Sequence, residues 1–202
     1  MTSSFRVRLI GGRLRHRQLL FPRVQPPIRP TPDAVRETLF NWLRPQIVGS
    51  SCLDLFAGSG ALGFEAWSRG AHSVHFVEQD PQVVAYLGQQ LAAFGIREAA
   101  VTRADAFAFL LRPADHFDVI FLDPPFREPR QAELLDALIS GGWLNPGAQL
   151  FLEWGGRTGD CPFRIPRGWD FWRESRTGQV SFGLIRESSP EPGQSVGPAS
   201  AG

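Results

Sequence analysis

From residue 51 to residue 153 the sequence alternates between short apolar runs and amphipathic stretches, and this alternation restricts the fold more than any other feature. The apolar runs have the length of strands, and the stretches between them carry apolar residues at helical spacing. The resulting order, β-α-β-α-β-α-β-α-β, requires a largely parallel sheet with right-handed helical crossovers. A chain of 202 residues is long enough for one such domain with a well-buried core.

The strands of this unit are predicted at residues 51–56, 73–77, 99–102, 117–122 and 148–153. The helices are predicted at residues 61–69, 81–95, 107–111 and 129–140. Two more alternating stretches, residues 169–174 and 179–186, predict an antiparallel hairpin that completes the sheet. The sequence therefore predicts a mostly parallel sheet of seven strands with an antiparallel carboxyl-terminal hairpin.

Residues 52–65 combine a buried strand, a glycine turn and the start of a helix. Gly58 and Gly60 would let the backbone approach a ligand closely, and the following helix would direct free N–H groups at it. The spacing Gly58-x-Gly60-x-x-Gly63 also fits the dinucleotide fingerprint, with Glu78 after the next strand as a ribose ligand. On this motif alone, a nicotinamide dehydrogenase and other nucleotide-binding α/β proteins remain open.

A second motif, Asp123-Pro124-Pro125-Phe126, directly follows the apolar run at residues 117–122. It sits at the carboxyl end of a strand, which is the edge where open α/β sheets bind their ligands. Proline has no N–H, so the Asp123 carboxylate and the carbonyls of this segment remain as acceptors. The motif predicts a site that accepts hydrogen bonds, which a nicotinamide dehydrogenase would not require.

The first 44 residues carry nine arginines against two acids, a net charge of +7, whereas the remainder carries twelve arginines against eighteen acids. Alternation over residues 5–10, and again after Gly11-Gly12, predicts a basic hairpin whose arginines share one face. These arginines are Arg6, Arg8, Arg13, Arg15 and Arg17. This pattern favours a phosphate-binding arm for nucleic acid, and a solvated edge strand protected from aggregation by charge is the alternative.

A proline-rich linker at residues 22–30 leads into a predicted helix. Thr31 is expected to cap this helix, with Pro32 at its first position. Arg36 lies off the apolar stripe of the helix, so it is expected to face solvent or to contact ligand or RNA.

Several kinds of protein and site are not expected. No run of about 18 apolar residues could cross a membrane, and the start has no apolar core of a secretory signal, so we predict a cytoplasmic protein. The two cysteines and four histidines lack the spacing of metal ligands, so no metal site is predicted. Residues 188–202 have almost nothing to bury and are expected to be disordered.

The glycine turn and the Asp-Pro-Pro-Phe motif together resemble those of class I S-adenosylmethionine-dependent methyltransferases that modify exocyclic amines of adenine or guanine. Further segments extend the resemblance over roughly residues 8–186: Leu9-Ile-Gly-Gly-Arg13, Arg29-Pro-Thr-Pro-Asp-Ala-Val-Arg-Glu-Thr-Leu-Phe-Asn-Trp-Leu43, Asp54-Leu-Phe-Ala-Gly-Ser-Gly-Ala-Leu-Gly63 and Gly178-Gln-Val180. They are similar to the RsmD family of guanine-N2 methyltransferases of bacterial small-subunit (16S) ribosomal RNA. The chain departs from the family at His16, where glycine is commoner, and at Ala34, where a basic residue is commoner.

The resemblance implies a Rossmann-like class I methyltransferase fold with S-adenosylmethionine as its cofactor. It implies a basic amino-terminal arm at residues 1–30, a methyltransferase domain at 31–187 and a tail at 188–202. It also implies 16S ribosomal RNA, or the assembling small subunit, as the partner. A monomer is the default expectation for a small RNA-modifying enzyme. A DNA adenine-N6 methyltransferase and a non-catalytic RNA-binding protein with this fold remain open as alternatives.

The expected site residues form three groups: the resemblance implies the first two, and the third follows from the clustered charge of the first 44 residues and from the position of Arg36 off the apolar stripe. The cofactor-binding group is Asp54, Gly58, Gly60, Glu78, Asp105, Ala106, Arg29 and Thr31. The group around the target amine is Asp123, Pro124 and Phe126. The RNA-binding group is Arg6, Arg8, Arg13, Arg15, Arg17 and Arg36. Within the first group, Glu78 is assigned to the ribose hydroxyls and Asp105 to the adenine amine, while a helix-capping role remains the alternative for Asp54.

Overall fold

Nine strands and five α-helices form within residues 5–25, 27–124 and 130–188, which are the residues that the computed structural model describes. In chain order they are β1 (Phe5–Arg8), β2 (Gln18–Phe21), α1 (Asp33–Leu43), β3 (Ser51–Asp54), α2 (Ala61–Ser68), β4 (Ser73–Glu78), α3 (Pro81–Phe94), β5 (Ala99–Arg103), α4 (Ala106–Leu110), β6 (Phe117–Leu122), α5 (Gln131–Ser140), β7 (Leu144–Gly155), β8 (Trp169–Thr177) and β9 (Val180–Glu187). Phe126 and residues 189–202 of the predicted tail lie outside the described residues. None of the described helices is long and apolar enough to cross a membrane.

The main sheet has the strand order β5-β4-β3-β6-β7-β9-β8. Strands β3 to β7 pair in parallel, while β9 pairs antiparallel with both β7 and β8. The predicted mostly parallel sheet of seven strands with a carboxyl-terminal hairpin is therefore confirmed. The strand order reverses between β3 and β6, and such a switch point opens a crevice at the carboxyl ends of the two strands.

Helices cover both faces of this sheet, and each face has its own apolar core. Cys52, Val119 and Phe121 project from β3 and β6 toward α1, α2 and α3. Their neighbours Leu53 and Ile120 project toward α4 and α5. Strands buried on both faces explain the continuous apolar runs in the sequence.

Helix α3, predicted at residues 81–95, begins with an aspartate cap and ends with a glycine. The Asp80 side chain accepts hydrogen bonds from the N–H groups of Gln82 and Val83, which lack partners within the helix. At the other end, Gly95 adopts a left-handed conformation with φ of 67°. The prediction for β7 was too short, because this strand runs from Leu144 to Gly155.

The predicted amino-terminal hairpin is present, but its arginines do not share one face. Strands β1 and β2 pair antiparallel, whereas Arg13, Arg15 and Arg17 lie in the connection between them. The Arg13 guanidinium stacks on the Trp67 ring at 4.1 Å, and Arg17 lies 5.3 Å from the Phe94 ring. The local alternation was misleading here because contacts with α2 and α3 determine where these side chains point.

The connection between β1 and β2 contains a backbone conformation that favours glycine. His16 has φ of 70°, the only positive φ among the described residues other than glycine. Its N–H donates to the Leu9 carbonyl at 2.9 Å, which closes the connection. Glycine would adopt this conformation without the steric cost that histidine meets.

The hairpin is packed against the α/β unit. Ile10 N–H donates to Glu65 Oε2 at 2.9 Å, and Leu14 N–H donates to Ser68 Oγ at 2.8 Å. Val7 and Leu19 are buried in the same core as α1, α2 and α3. The basic amino terminus is thereby held at a fixed position beside α2.

Candidate active site

Three acidic side chains lie at or near the carboxyl ends of the adjacent strands β3, β6 and β7. Asp54 ends β3, Asp123 directly follows β6, and Glu153 lies near the end of β7. Asp54 and Glu153 are 2% and 6% exposed, so both carboxyl groups are largely withdrawn from water. The switch point of the sheet is therefore lined by buried acids.

Asp54 combines the two roles that the sequence left open. Its Oδ2 accepts a hydrogen bond of 3.0 Å from Gly63 N–H in the first turn of α2, so the carboxyl group caps that helix. The same side chain lines a small cavity between β3 and β6. Burial, with smaller contributions from the nearby Asp123 and Glu78 carboxylates, raises the pKa of Asp54 to about 7, against the lowering effect of the hydrogen bond from Gly63 N–H.

The glycine turn is required by its backbone and its packing. Gly60 has φ of 75°, and a Cβ atom there would lie 2.7 Å from Leu87 Cδ2. Gly58 has φ of 50° and donates its N–H to Glu78 Oε2 at 2.9 Å. The expectation that Gly60 leaves room for a ligand is wrong, because core side chains fill that space. A Cβ at Gly58 would meet Ile28, which borders the cavity.

Glu78 and Asp105 continue the row of acids along the same edge. Glu78 ends β4, and its Oε1 accepts from Asp80 N–H at 2.9 Å. Asp105 Oδ1 caps α4 by accepting from Phe107 and Ala108 N–H. Ala106 is the buried first residue of that helix. The structure thus brings these residues to the edge that carries Asp54.

Asp123 is held by a residue that the sequence assigned to another role. Thr31 Oγ1 donates to Asp123 Oδ2 at 2.9 Å, across 92 positions of the chain. The predicted capping by Thr31 is wrong, because the cap position directly before α1 is occupied by Pro32, which makes no side-chain cap. Burial raises the pKa of Asp123 to about 6, and the hydrogen bond from Thr31 opposes this rise. Asp123 is therefore mostly ionised at neutral pH.

The expectation that Arg36 faces solvent or contacts RNA is wrong, because its side chain is fully buried. Its guanidinium donates to the carbonyls of Thr31 and Arg8 at 3.1 and 2.9 Å. It also pairs with Glu65, whose side chain is equally buried, at 3.4 Å. Arg36 therefore connects the hairpin to the residue that holds Asp123. Exposure was predicted because Arg36 is a polar residue off the apolar stripe of its helix. Its side chain is buried instead because the hairpin docks against it.

Glu153 was not predicted as a site residue. It is partnered in the sheet by Phe182 of β9, and its carbonyl accepts from Gln131. Its Oε2 has no hydrogen-bond partner among the residues described. Burial raises the pKa of Glu153 to about 9, with a further contribution from the Asp123 carboxylate. The sequence signal was an acid ending the apolar run at residues 150–152, but its neighbour in the sheet could not be read from the sequence.

Two concave regions lie near these residues. A cavity of about 40 Å³ separates the glycine turn from the segment that leads into α1, and its wall includes Ile28, Arg29, Thr31, Gly58 and Asp123. A larger cleft of about 500 Å³ lies beside the hairpin connection. The charged or titratable side chains of this cleft are Arg8, Arg15, His16, Asp33, Glu37 and Arg69. No cluster able to hold a metal ion occurs within the described ranges.

Comparison with known proteins identifies the family. The family model "Conserved hypothetical protein 95" matches residues 7–186. The chain is 40% identical to ribosomal RNA small subunit methyltransferase D from Escherichia coli K12 over 188 residues, which covers 93% of each protein. It is 42% identical to the protein of the same name from Haemophilus influenzae, over 89% of this chain and 93% of the relative.

The chain belongs to this RsmD family. The solved structure of Escherichia coli yhhF agrees with a TM-score of 0.81 and 39% identity, covering 92% of this chain and 99% of that one. Two methyltransferase structures solved with S-adenosylhomocysteine share the fold at 13% and 17% identity. The predictions of a class I methyltransferase and of S-adenosylmethionine as its cofactor are confirmed.

The residues at the switch point suit this family's cofactor. S-adenosylmethionine carries a positive charge on sulfur and another on its ammonium group, and the buried Asp54 carboxylate would offset part of this charge. Glu78 and Asp105 place further acceptors along the same edge. The cradle of acids therefore fits a cationic methyl donor.

Proposed function

We propose that this methyltransferase modifies the exocyclic N2 amine of a guanine in small-subunit (16S) ribosomal RNA. The observation that carries the proposal is the Asp123 carboxylate, held by Thr31 at the switch point. The names of the relatives support ribosomal RNA as the substrate class. We further propose that the enzyme acts as a monomer in the cytoplasm on RNA or on the assembling subunit.

The chemistry of the amine explains why a fixed pair of acceptors is useful. The lone pair of an exocyclic amine is delocalised into the purine ring, so the nitrogen is a poor nucleophile. We infer that the Asp123 carboxylate and the Pro124 carbonyl accept hydrogen bonds from the two N–H groups of the amine. These hydrogen bonds favour a pyramidal nitrogen. The bound cofactor supplies an electrophilic methyl group at this position. Asp123 and Pro124 thus act by orientation and electrostatic stabilisation.

The remaining site residues keep their predicted roles within this proposal. Asp54, Gly58 and Glu78 would hold the cofactor with Asp105 and Ala106, and Arg29 would approach it across the cavity. Phe126 would stack on the target base, a contact worth about 1–3 kcal/mol in general. The amine is inaccessible in a stacked helix, so the guanine would be in a loop or flipped out.

The cleft beside the hairpin is the proposed grip on the RNA backbone. Arg8 and Arg15 line it together with Arg69, which directly follows α2, and these three arginines outnumber the two acids of the cleft, Asp33 and Glu37. Arg6 lies on the exposed face of β1, where its guanidinium approaches the Gln18 side chain. Arg13 and Arg17 stack on aromatic rings, so their contribution to RNA binding would be smaller than the sequence indicated.

The test is transfer of labelled methyl from S-adenosylmethionine to 16S RNA, supplied both naked and as assembled subunits, followed by nucleoside analysis. We expect N2-methylguanosine as the product. N6-methyladenosine as the product would show that the target base is adenine. If neither naked RNA nor assembled subunits are methylated while the protein still binds the cofactor, a DNA substrate or a non-catalytic RNA-binding function would be favoured.

Asp123→Ala is expected to lower turnover by about 10²–10³, as removal of one preorganised polar contact does in other enzymes. Cofactor binding, measured by calorimetry, should change little, because the other acids of the cradle remain. Full turnover by this variant would remove Asp123 from the mechanism.

A further inference from the structure

Glu153 and Asp123 are neighbours at the carboxyl edge of the sheet. Strands β6 and β7 pair in parallel with Leu122 opposite Leu152, so the next residues along are Asp123 and Glu153. Adjacent strands lie about 4.8 Å apart. The rings of Phe121 and Phe151 lie on one face of the sheet, 6.5 Å apart. Alternation along the strands returns Asp123 and Glu153 to that same face.

One oxygen of the Glu153 carboxyl group lacks the hydrogen-bond partner that a buried polar atom normally has. Glu153 is 6% exposed, and its Oε2 accepts and donates no hydrogen bond within residues 5–25, 27–124 and 130–188. An unpartnered buried polar group is costly and rare in folded proteins. Since it lies beside the catalytic Asp123, the missing partner is expected to be the substrate.

The protonation state of Glu153 defines what it can bind. Burial and the neighbouring Asp123 carboxylate raise its pKa to about 9, so the group is neutral near pH 7 to 8. A neutral carboxyl group has one O–H donor and a carbonyl acceptor side by side. It complements a base edge that presents a donor next to an acceptor.

Guanine presents this edge directly beside its N2 amine. The neighbouring groups on its Watson–Crick edge are the N1–H donor and then the O6 acceptor. Adenine presents only the N1 acceptor beside its N6 amine, so a neutral carboxyl group can make one hydrogen bond to it instead of two. A base edge held by two hydrogen bonds is also held in a defined plane.

We propose that Glu153 reads the target guanine, accepting from N1–H and donating to O6 while Asp123 holds the N2 amine. This inference rests on the proposed guanine-N2 activity. It makes Glu153 a specificity-determining residue for the base.

The experiment compares guanine with 2-aminopurine, which keeps the amine but lacks both N1–H and O6. The substrate is 16S RNA, naked or reassembled into subunits, that carries either base at the nucleotide mapped by the methyl-transfer assay. The variants are Glu153→Gln, whose amide offers the same donor and acceptor, and Glu153→Leu, which offers neither. Glu153→Met serves as a second apolar variant should the leucine variant fail to fold.

Gln149→Leu is the matched control. Gln149 lies on the same face of β7, is 4% exposed, and also has a side-chain oxygen with no partner in the described part of the chain. It lies four residues before Glu153 in the middle of β7, opposite Val119 of β6, and therefore away from Asp123. Its replacement therefore removes a similar buried polar group without touching the proposed base site.

We expect the wild-type enzyme to prefer guanine over 2-aminopurine by about 10- to 100-fold in kcat/KM. The Glu153→Gln and Gln149→Leu enzymes should keep this preference, and the apolar Glu153 variants should reduce it to about threefold or less. The proposal is overturned if the apolar variants keep the full preference or if Glu153→Gln loses it as they do. If the wild type methylates guanine and all variants show the same preference for guanine over 2-aminopurine, only the role of Glu153 is refuted. If no methyl group is transferred to guanine, the proposed function is overturned as well.

Discussion

At the scale of residues, burial gives three acids at one edge of the sheet different charge states. The pKa is raised to about 6 for Asp123, about 7 for Asp54 and about 9 for Glu153. Near neutral pH the first is mostly ionised, the second is titrating and the third is neutral. Asp123 can thus serve as a hydrogen-bond acceptor, Asp54 as a counter-charge for the cofactor, and Glu153 as a neutral hydrogen-bond donor.

Asp54 should make cofactor binding depend on pH. A cationic ligand binds the ionised carboxylate more tightly, so we expect the affinity for S-adenosylmethionine to rise from pH 5.5 to pH 8 and then level off. Asp54→Asn keeps an acceptor for Gly63 N–H but carries no charge, so its affinity should be lower and change little above pH 6.5. Calorimetric titrations across this range measure both. If Asp54→Asn keeps the wild-type pH dependence of cofactor affinity, Asp54 is excluded as the source of that dependence.

Thr31 should determine the pH at which kcat/KM falls on the acid side, because it contacts Asp123. Its hydrogen bond favours the ionised carboxylate, so Thr31→Val should raise the pKa of Asp123 further. Activity is lost as pH falls through that pKa, and we expect the acid limb of kcat/KM to move up by about one pH unit. Thr38→Val is the control, because the Thr38 hydroxyl donates to the Ala34 carbonyl on the exposed side of α1, the helix that follows Thr31. An unmoved limb in Thr31→Val would contradict the proposed coupling.

At the scale of elements, a buried ion pair joins the hairpin, α1 and α2. Glu65 of α2 accepts from Ile10 N–H and pairs with Arg36 of α1, and Arg69 closes the group at 2.8 Å. Arg36 in turn holds the carbonyl of Thr31. The position of the hairpin is thus mechanically connected to the residue that contacts Asp123.

Breaking this pair on one side should destabilise the whole fold. Arg36→Met leaves the Glu65 carboxylate buried with fewer partners, and we expect a loss of about 3–5 kcal/mol in the free energy of unfolding. Glu133→Gln, which breaks an exposed pair with Arg130, should cost less than about 1 kcal/mol. Urea titrations measure both changes. The double variant Arg36→Met/Glu65→Leu should lose less than the sum of its single changes, since neither charge is left alone.

At the scale of the whole molecule, charge is separated along the chain. The first 44 residues have a net charge of +7 and the remainder −6. The hairpin packs this positive charge beside α2, at the cleft that contains Arg8 and Arg15. RNA is therefore expected to approach from the side of the hairpin, while the acids at the switch point receive the cationic cofactor.

Removing the charge of the cleft should change the salt dependence of RNA binding. Replacing Arg8 and Arg15 together by Gln removes two phosphate contacts, which lowers the log–log salt slope by about 1.5. Arg112 and Arg164 provide the control pair, because both are exposed and their segments pack on the face of the sheet opposite the hairpin. Filter binding to 16S RNA at several salt concentrations gives the slopes. Equal slopes for the two double variants would rule out the cleft as the grip.

The sequence by itself determined the order of the elements and the edge where the site lies. Strand and helix periods are local properties, so the β/α alternation, the caps of α3 and the carboxyl-terminal hairpin could be read directly. Glu78 and Asp123 were predicted because they end apolar runs, and the ends of parallel strands share one edge. Asp54 was assigned by its place in the family motif. The family motifs added the chemistry of the reaction.

Only the tertiary structure decided which side chains meet. Thr31 contacts Asp123 across 92 positions, Arg36 is buried by a hairpin that docks on α2, and Glu153 lies beside Asp123 because β7 pairs with β6. None of these contacts follows from the pattern around the residue itself. Sheet order and docking arise from burial of apolar surface between distant segments, which local spacing does not encode.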